Sequence, residues 1–430
     1  MARRRNPKAS SSARGRRNPK AAPGGGGRKN LKAVQAAKAR KKRRNRRKKR
    51  AIIMAIEIVI LLILLGATYV MAKYDKFQTV AIDSENILIN EGVEMDGYTT
   101  VALFGGDSRE GQLEAGTHAD TIIIAAVDHE HKEIRLASIY RDTLLEQVDK
   151  TYHKANHAYF EGGPEDAINM LNKNLDLAIE DYATVDFKAL ADVVDLLGGI
   201  EIDVTEPEAK MLNKYVEETA KASKKKAHKL DGAGTYNLDG PQAVTYARLR
   251  KLEGGDYKRT ERQRLVIDKI FKKAKTMDLK TLDKIVDTVF PQVSTSFSLK
   301  EIAQLASAGL TYELKDSTGF PFDKNDSVRY QSAGSVVVAL GLAENVRDLH
   351  EFLFPHEEDY AVSEAVQWIS DNIAYVTGVV RPAELDAERE AQEADGTGET
   401  DSTENTDSSD AEGASADENS GYTDEGDSPS

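Results

Sequence analysis

The sequence predicts a layered α/β fold carried behind one membrane-spanning helix, and three observations predict it. Residues 51–72, AIIMAIEIVILLILLGATYVMA, form an apolar run whose only charge is Glu57. Residues 100–105, 121–128 and 133–139 are nearly continuous apolar runs rich in β-branched side chains, as expected of strands covered on both faces. Helical spacing follows, with Phe187, Leu190, Val193, Val194 and Leu197 recurring every three or four residues.

The net charge of −12 over 430 residues hides three regions of different sign. Residues 1–50 carry 22 Lys/Arg and no acid, whereas residues 381–430 carry 17 Asp/Glu against Arg381 and Arg389. Both tails lack the large apolar side chains needed for a core and are expected to be disordered. The run 51–72 spans roughly 33 Å as a helix, enough to cross a bilayer. It is too long and too far from the start for a cleaved signal peptide. Glu57 reads as a carboxyl that is protonated or reaches the interface. The cationic cluster Arg40 to Arg50 abuts the run and places the N-terminus in the cytoplasm and everything after Lys73 outside. The basic tail is an orientation signal first, with anionic lipid the next partner to consider.

After a linker at 73–97 come the three strands. Helices are expected at 165–175, opened by Gly-Pro, at 187–197, stopped by Gly198-Gly199, and at 241–248 and 260–275, with a strand at 200–204. Residues 279–309 and 344–354 add further helix. The expected organisation is a catalytic domain at 98–275, a helical extension at 276–380 and an acidic tail at 381–430. The middle of the chain is long enough to bury a core without staples. The absence of Cys excludes disulfides, thiolate metal sites and cysteine nucleophiles.

The first chemical cluster is LFGGDSR at 103–109, where a strand ends in two glycines and delivers Asp107 and Arg109 into a loop. Strand ends are where α/β folds bind ligands. Thirteen residues on, Asp120 opens the next strand in GTHADT. Two carboxylates meeting there suit a hard divalent cation beside a phosphate; ordinary turn and cap aspartates are the alternative. SIYRDT at 138–143 adds Arg141 and Asp142 at the end of the third strand, as a guanidinium fork at an acidic site or an internal ion pair. The densest signal is YARLRKLEGGDYKRTERQR at 246–264, with Arg248, Arg250, Arg259, Arg262 and Arg264. Arg259, Gln263, Ile267 and Phe271 share one helical face. A pyrophosphate is the ligand that such a set would grip, and a solvated basic face is the alternative. His153 and His157 are four apart with no third metal ligand nearby in the sequence. No P-loop and no G-x-S-x-G elbow is present.

Taken in order, GGDSR, HADT, SIYRDT, HKANHAYFEGG, DLLGGIEIDV, LDGPQAVTYARLR and GDYKRTERQR resemble the LytR-CpsA-Psr family over roughly residues 98–273. The resemblance implies a central, mostly buried mixed β-sheet sandwiched by helices. It also implies a membrane-anchored, extracytoplasmic phosphotransferase of the Gram-positive cell wall. Such an enzyme moves a glycopolymer, teichoic acid or capsule, from an undecaprenyl-pyrophosphate carrier onto a peptidoglycan acceptor through a phosphodiester. Carried onto this chain, Asp107 and Asp120 would hold Mg²⁺, or Mn²⁺ in its place. Arg109, His118, Arg141, Arg248, Arg250, Arg259 and Gln263 would bind the pyrophosphate. Arg141, Asp120 and Asp142 would be the catalytic set, the last two both open as general base.

Two departures from the family pattern stand out. His118 replaces a frequent Arg, and Tyr140 a frequent Pro. The first exchanges a fixed cation for a group that titrates near neutrality, so turnover is expected to depend on pH. A hydrolase without acceptor transfer and an envelope-linked transcriptional regulator are the competing readings. Against the second, the basic tail has no helix-turn-helix pattern, and charge alone gives only non-specific nucleic-acid binding.

Overall fold

A computed structural model describes residues 71–72, 78–80, 82, 84–106, 113, 115–298, 301–302, 304, 309, 311–357, 360–383 and 385. The basic tail, nearly all of the apolar run 51–72 and the acidic tail lie outside these residues. Among the described residues no helix is long and apolar enough to cross a membrane.

The strands in chain order are β1 (Gln78–Thr79), β2 (Tyr98–Gly106), β3 (Ala119–Asp128), β4 (Glu133–Ile139), β5 (Leu144–Glu146), β6 (Tyr152–Lys154), β7 (Asp181–Asp186), β8 (Ile200–Val204), β9 (Gly234–Leu238), β10 (Val293–Thr295), β11 (Glu313–Phe320), β12 (Lys324–Tyr330) and β13 (Gly334–Ala339). The helices are α1 (Ala155–Leu175), α2 (Phe187–Leu196), α3 (Glu206–Ala222), α4 (Gly240–Ala247), α5 (Gly255–Ala274), α6 (Leu279–Val289), α7 (Leu342–Leu353) and α8 (Glu364–Thr377).

Seven strands form the central sheet in the order β1-β10-β7-β2-β3-β4-β11. β2 runs antiparallel to β3, and β3 to β4, while β7 is parallel to β2 and β11 parallel to β4. The sheet is therefore mixed, and helices cover both of its faces. The continuous apolar runs of β2 to β4 follow from that double cover. Because strand side chains alternate, Ile122, Ile124 and Ala126 pack with Ile168 and Leu171 of α1 and Leu349 of α7. The intervening Ile123 and Ala125 pack on the opposite side with Phe297 and Ile267 of α5. A smaller core joins the β8–β9 hairpin to α2–α5 through Ile200, Ile202, Leu212, Val216, Leu238 and Val266.

Local chemistry sets the helix ends. The Asp186 carboxylate accepts from Ala189 N to open α2, and Gly198 and Gly199, with φ of 77° and 89°, end that turn. Capping boxes at Thr205/Glu208 and Asp239/Gln242 open α3 and α4. α1 begins ten residues before the expected Gly-Pro start. It bends at Gly163, whose φ of 72° breaks helical geometry ahead of Pro164.

The expectation of a helical extension over 276–380 is corrected. α6 ends at Val289, because the residue before Pro291 is disfavoured in helix. β10 then pairs with β7, inserted between it and the edge strand β1, and β11 pairs with β4 at the opposite edge. Among the described residues α6, α7, α8 and the helical positions 301–302, 304 and 309 match the helical expectation for that region, while β12 and β13 form a separate hairpin.

Candidate active site

The site forms at one end of the sheet. β3 and β4 are antiparallel, with Ile123 opposite Ser138, so the start of one strand lies beside the end of the other. Asp120 and Arg141 are brought together in this way. Arg141 Nη1 donates to Asp120 Oδ1 at 2.6 Å. On the far side of Arg141, its Nε lies 3.5 Å from Asp142 Oδ2 and 3.9 Å from Asp256 Oδ2. Lys154 of β6 holds Asp142 Oδ1 at 2.7 Å.

α5 adds a second guanidinium from above. Arg259, with a side chain only 4% exposed, donates from Nη2 to the Asp120 carbonyl at 2.9 Å and to Asp256 Oδ2 at 3.1 Å. Gln263 follows one turn later on the same buried face. Arg248 closes α4 with its guanidinium 4.3 Å over the Phe187 ring, and Arg250 stands exposed beyond it. Asp120, Arg248, Arg250, Arg259 and Gln263 line one cavity of about 240 Å³, whose apolar wall includes Phe187, Met211, Tyr215 and Leu249.

The electrostatics are asymmetric. Burial works to raise the Asp120 pKa, yet the charge and hydrogen bond of Arg141, with Arg259 and Arg250 nearby, hold it below the usual carboxylate value. Burial opposes the Arg141 charge too, but Asp120, Asp256 and Asp142 carry its pKa above the ordinary value. Burial lowers that of Arg259 despite Asp256. Arg141 Nε, Arg259 Nε, Gln263 Oε1 and Asp256 Oδ1 are buried and find no hydrogen-bond partner among the described residues. Buried polar atoms in this condition call for a ligand or ordered solvent.

The arginine cluster divides between two jobs. Arg262 donates from Nε to Glu208 Oε1 at 2.8 Å and from Nη1 to the Leu249 carbonyl at 3.1 Å, clamping the loop between Arg248 and Arg250. Arg264 reaches Ser317 Oγ on β11 at 3.2 Å. These two are scaffold, whereas Arg248, Arg250 and Arg259 face the cavity. His118 is exposed, its ring stacked on Phe160 at 4.4 Å, and does not line the cavity. Asp107 and Arg109 lie outside the described residues. The sequence reading missed Asp256 as a member of the site and Glu208 as the partner of Arg262. The Asp256-x-x-Arg259 spacing and the Thr205/Glu208 capping box were the signals available for them.

A mixed sheet under two helical layers, with a guanidinium-lined cavity at the ends of its antiparallel strands, defines an α/β protein. The LytR_cpsA_psr family model matches residues 66–332, and the chain belongs to that family. The match runs past residue 275 and takes in β10, β11 and β12. Among relatives, the polyisoprenyl-teichoic acid–peptidoglycan teichoic acid transferase TagV of Bacillus subtilis is 27% identical over 235 residues, 54% of this chain and 58% of its own. The transferase TagU of Halalkalibacterium halodurans is 29% identical over 211 residues, 48% of this chain and 64% of its own. This chain thus spans about six-tenths of the length of each of these relatives. A crystal structure of a transcriptional regulator from Enterococcus faecalis shares the fold, with a TM-score of 0.51 and 23% identity over 68% of this chain and 99% of that one.

Proposed function

We propose that the chain is a membrane-anchored phosphotransferase whose domain works outside the cell, moving a teichoic-acid-like glycopolymer from a polyprenyl-pyrophosphate carrier, undecaprenyl in length, onto peptidoglycan. The observation that carries this reading is the convergence of Arg248, Arg250 and Arg259 on one cavity with Asp120, beside Arg141. A pyrophosphate has the oxygens to accept from all of these guanidinium groups. Phosphoryl transfer demands positioning and charge stabilisation more than covalent assistance. The names of the TagV and TagU relatives support the choice of glycopolymer and acceptor. The cationic flank of 51–72 supports the topology.

In this reading the acceptor hydroxyl oxygen bonds to the phosphorus next to the glycopolymer, and the bridging P–O bond breaks to release polyprenyl phosphate. Arg141 and Arg259 face the charge that builds on the phosphoryl oxygens. Arg109, in the motif that follows β2, is a further donor in this reading. The acceptor's proton passes to a carboxylate beside Arg141, with Asp120 and Asp142 the candidates from the motifs. The apolar wall of Phe187, Met211 and Tyr215 receives the first isoprene units.

The donor set also fits a hard divalent cation. Gln263 Oε1 is an acceptor oxygen without a partner among the described residues, and Asp120 supplies a carboxylate kept ionised by its neighbours. Asp120 would hold Mg²⁺ together with Asp107, which follows Gly106, itself paired to Ala119. Bound there, the ion would neutralise pyrophosphate charge.

The test uses the full chain in detergent with Mg²⁺, a short polyprenyl-pyrophosphate-linked saccharide and a peptidoglycan oligomer, scoring the phosphodiester product by mass. Product from wild type, lost in Arg141→Ala and Asp120→Ala, upholds the transferase. Phosphate release without product would favour a hydrolase, and no turnover would reject both.

A further inference from the structure

Arg141 stands between residues that line two different cavities. On one side it holds Asp120, which lines the arginine cavity. On the other side its neighbours Asp142 and Asp256 line a second cavity of about 390 Å³. Asp326 completes three carboxylates on that lining, and among the described residues no lysine or arginine lines it. With Asp142 paired to Lys154 and Asp256 to Arg259, and no lysine or arginine on the lining among the described residues, the space offers a phosphate no cation to bind. Carboxylates do accept from hydroxyl groups.

Two tyrosine rings form part of the remaining wall. Tyr140 and Tyr257 meet edge to face with ring centroids 4.6 Å apart. The Lys324 ammonium lies 5.4 Å from the centroid of the first ring and 4.9 Å from that of the second. The Tyr257 hydroxyl donates to Asp326 Oδ2 at 3.0 Å, which fixes the ring. A ring wall for C–H faces, with carboxylates for hydroxyls, is the chemical complement of a sugar. Asp256 touches both compartments: its Oδ2 accepts from Arg259 of the first cavity, and its Oδ1 has no partner among the described residues.

We infer that the second cavity is the acceptor subsite, which takes an uncharged saccharide ring and holds its hydroxyl by a hydrogen bond to Asp256, next to Arg141. This inference rests on the proposed transferase reading.

The experiment measures steady-state transfer by the full chain in detergent, with a farnesyl-pyrophosphate-linked disaccharide as donor and an uncrosslinked peptidoglycan oligomer as acceptor. Two variants are compared with wild type: Tyr257→Ala, which removes the ring wall, and Ser335→Trp, which fills the cavity from its exposed rim. The second keeps every described core side chain, so it stands if the first folds poorly. The expected result is an acceptor KM raised about tenfold, equivalent to ~1.4 kcal/mol, with donor Kd unchanged. An unchanged acceptor KM in Ser335→Trp, or a donor Kd weakened in step with it, overturns the inference. If wild type gives no transfer, the proposed function fails. Calorimetry of the oligomer alone then judges the cavity: binding by wild type that Ser335→Trp abolishes upholds the subsite, and absent or unaltered binding overturns it.

Discussion

Arg141 donates to Asp120 at 2.6 Å because β3 starts where the antiparallel β4 ends. That strand geometry turns two motifs 21 residues apart into one ion pair. Removing the guanidinium strips both a donor from the anion site and the group that keeps Asp120 ionised. Arg141→Ala is expected to lower kcat by about a hundredfold, the scale of one lost oxyanion donor, measured in the mass-scored transfer assay.

The same pair has a defined pH signature. Asp120 has a folded pKa below its unfolded value near 3.9. Its contribution to stability is therefore fully present above that unfolded value and is lost as pH falls through the lower folded one. Urea midpoints of wild type and Asp120→Asn should differ by a constant amount from pH 5 to pH 8 and converge below about pH 4. A difference that opens near neutrality would contradict the pairing.

Glu208 and Arg262 form an ion pair whose side chains are 11% and 10% exposed. Breaking it from one side leaves a buried charge and should cost about 3 kcal/mol, or roughly 6–12 °C in thermal midpoint. Because Arg262 also holds the Leu249 carbonyl, Glu208→Ala should weaken donor binding as well, although Glu208 lies outside the arginine cavity. Scanning calorimetry and donor titration of the same preparation check both effects.

Gly105 is fixed by the approach of two strands. A Cβ there would stand 2.9 Å from Thr121 Cβ, so Gly105→Ala must push β2 from β3. The expected cost is about 1–3 kcal/mol, with weaker donor binding because Thr121 adjoins Asp120. A midpoint equal to wild type would show that the strands yield freely.

Legibility in the sequence followed burial. β2, β3 and β4 were readable because both of their faces are covered, and α2 and β8 because Gly198-Gly199 punctuates them. β11 was not: it alternates few apolar residues, carries a bulge between Leu314 and Ser317 and lies at an exposed edge. α3 hides its narrow stripe of Ala209, Leu212, Val216 and Ala220 among charges. In the site, charge density pointed to the right segment but could not say which arginines turn outward. Arg262 and Arg264 were sorted from Arg259 only by partners far away in the chain, Glu208 and Ser317.

The two late strands have a consequence for how the chain is made. β10 caps β7 and β11 caps β4, so a chain ended at residue 275 presents two bare edges, the open templates on which other chains assemble. Everything needed for the anion site is translated by residue 263, yet the sheet beneath it closes only after Phe320. For this protein, emergence of the chemistry and completion of the fold are separated by more than fifty residues of synthesis. A truncation chosen from the motifs alone would yield an aggregating fragment rather than a minimal enzyme.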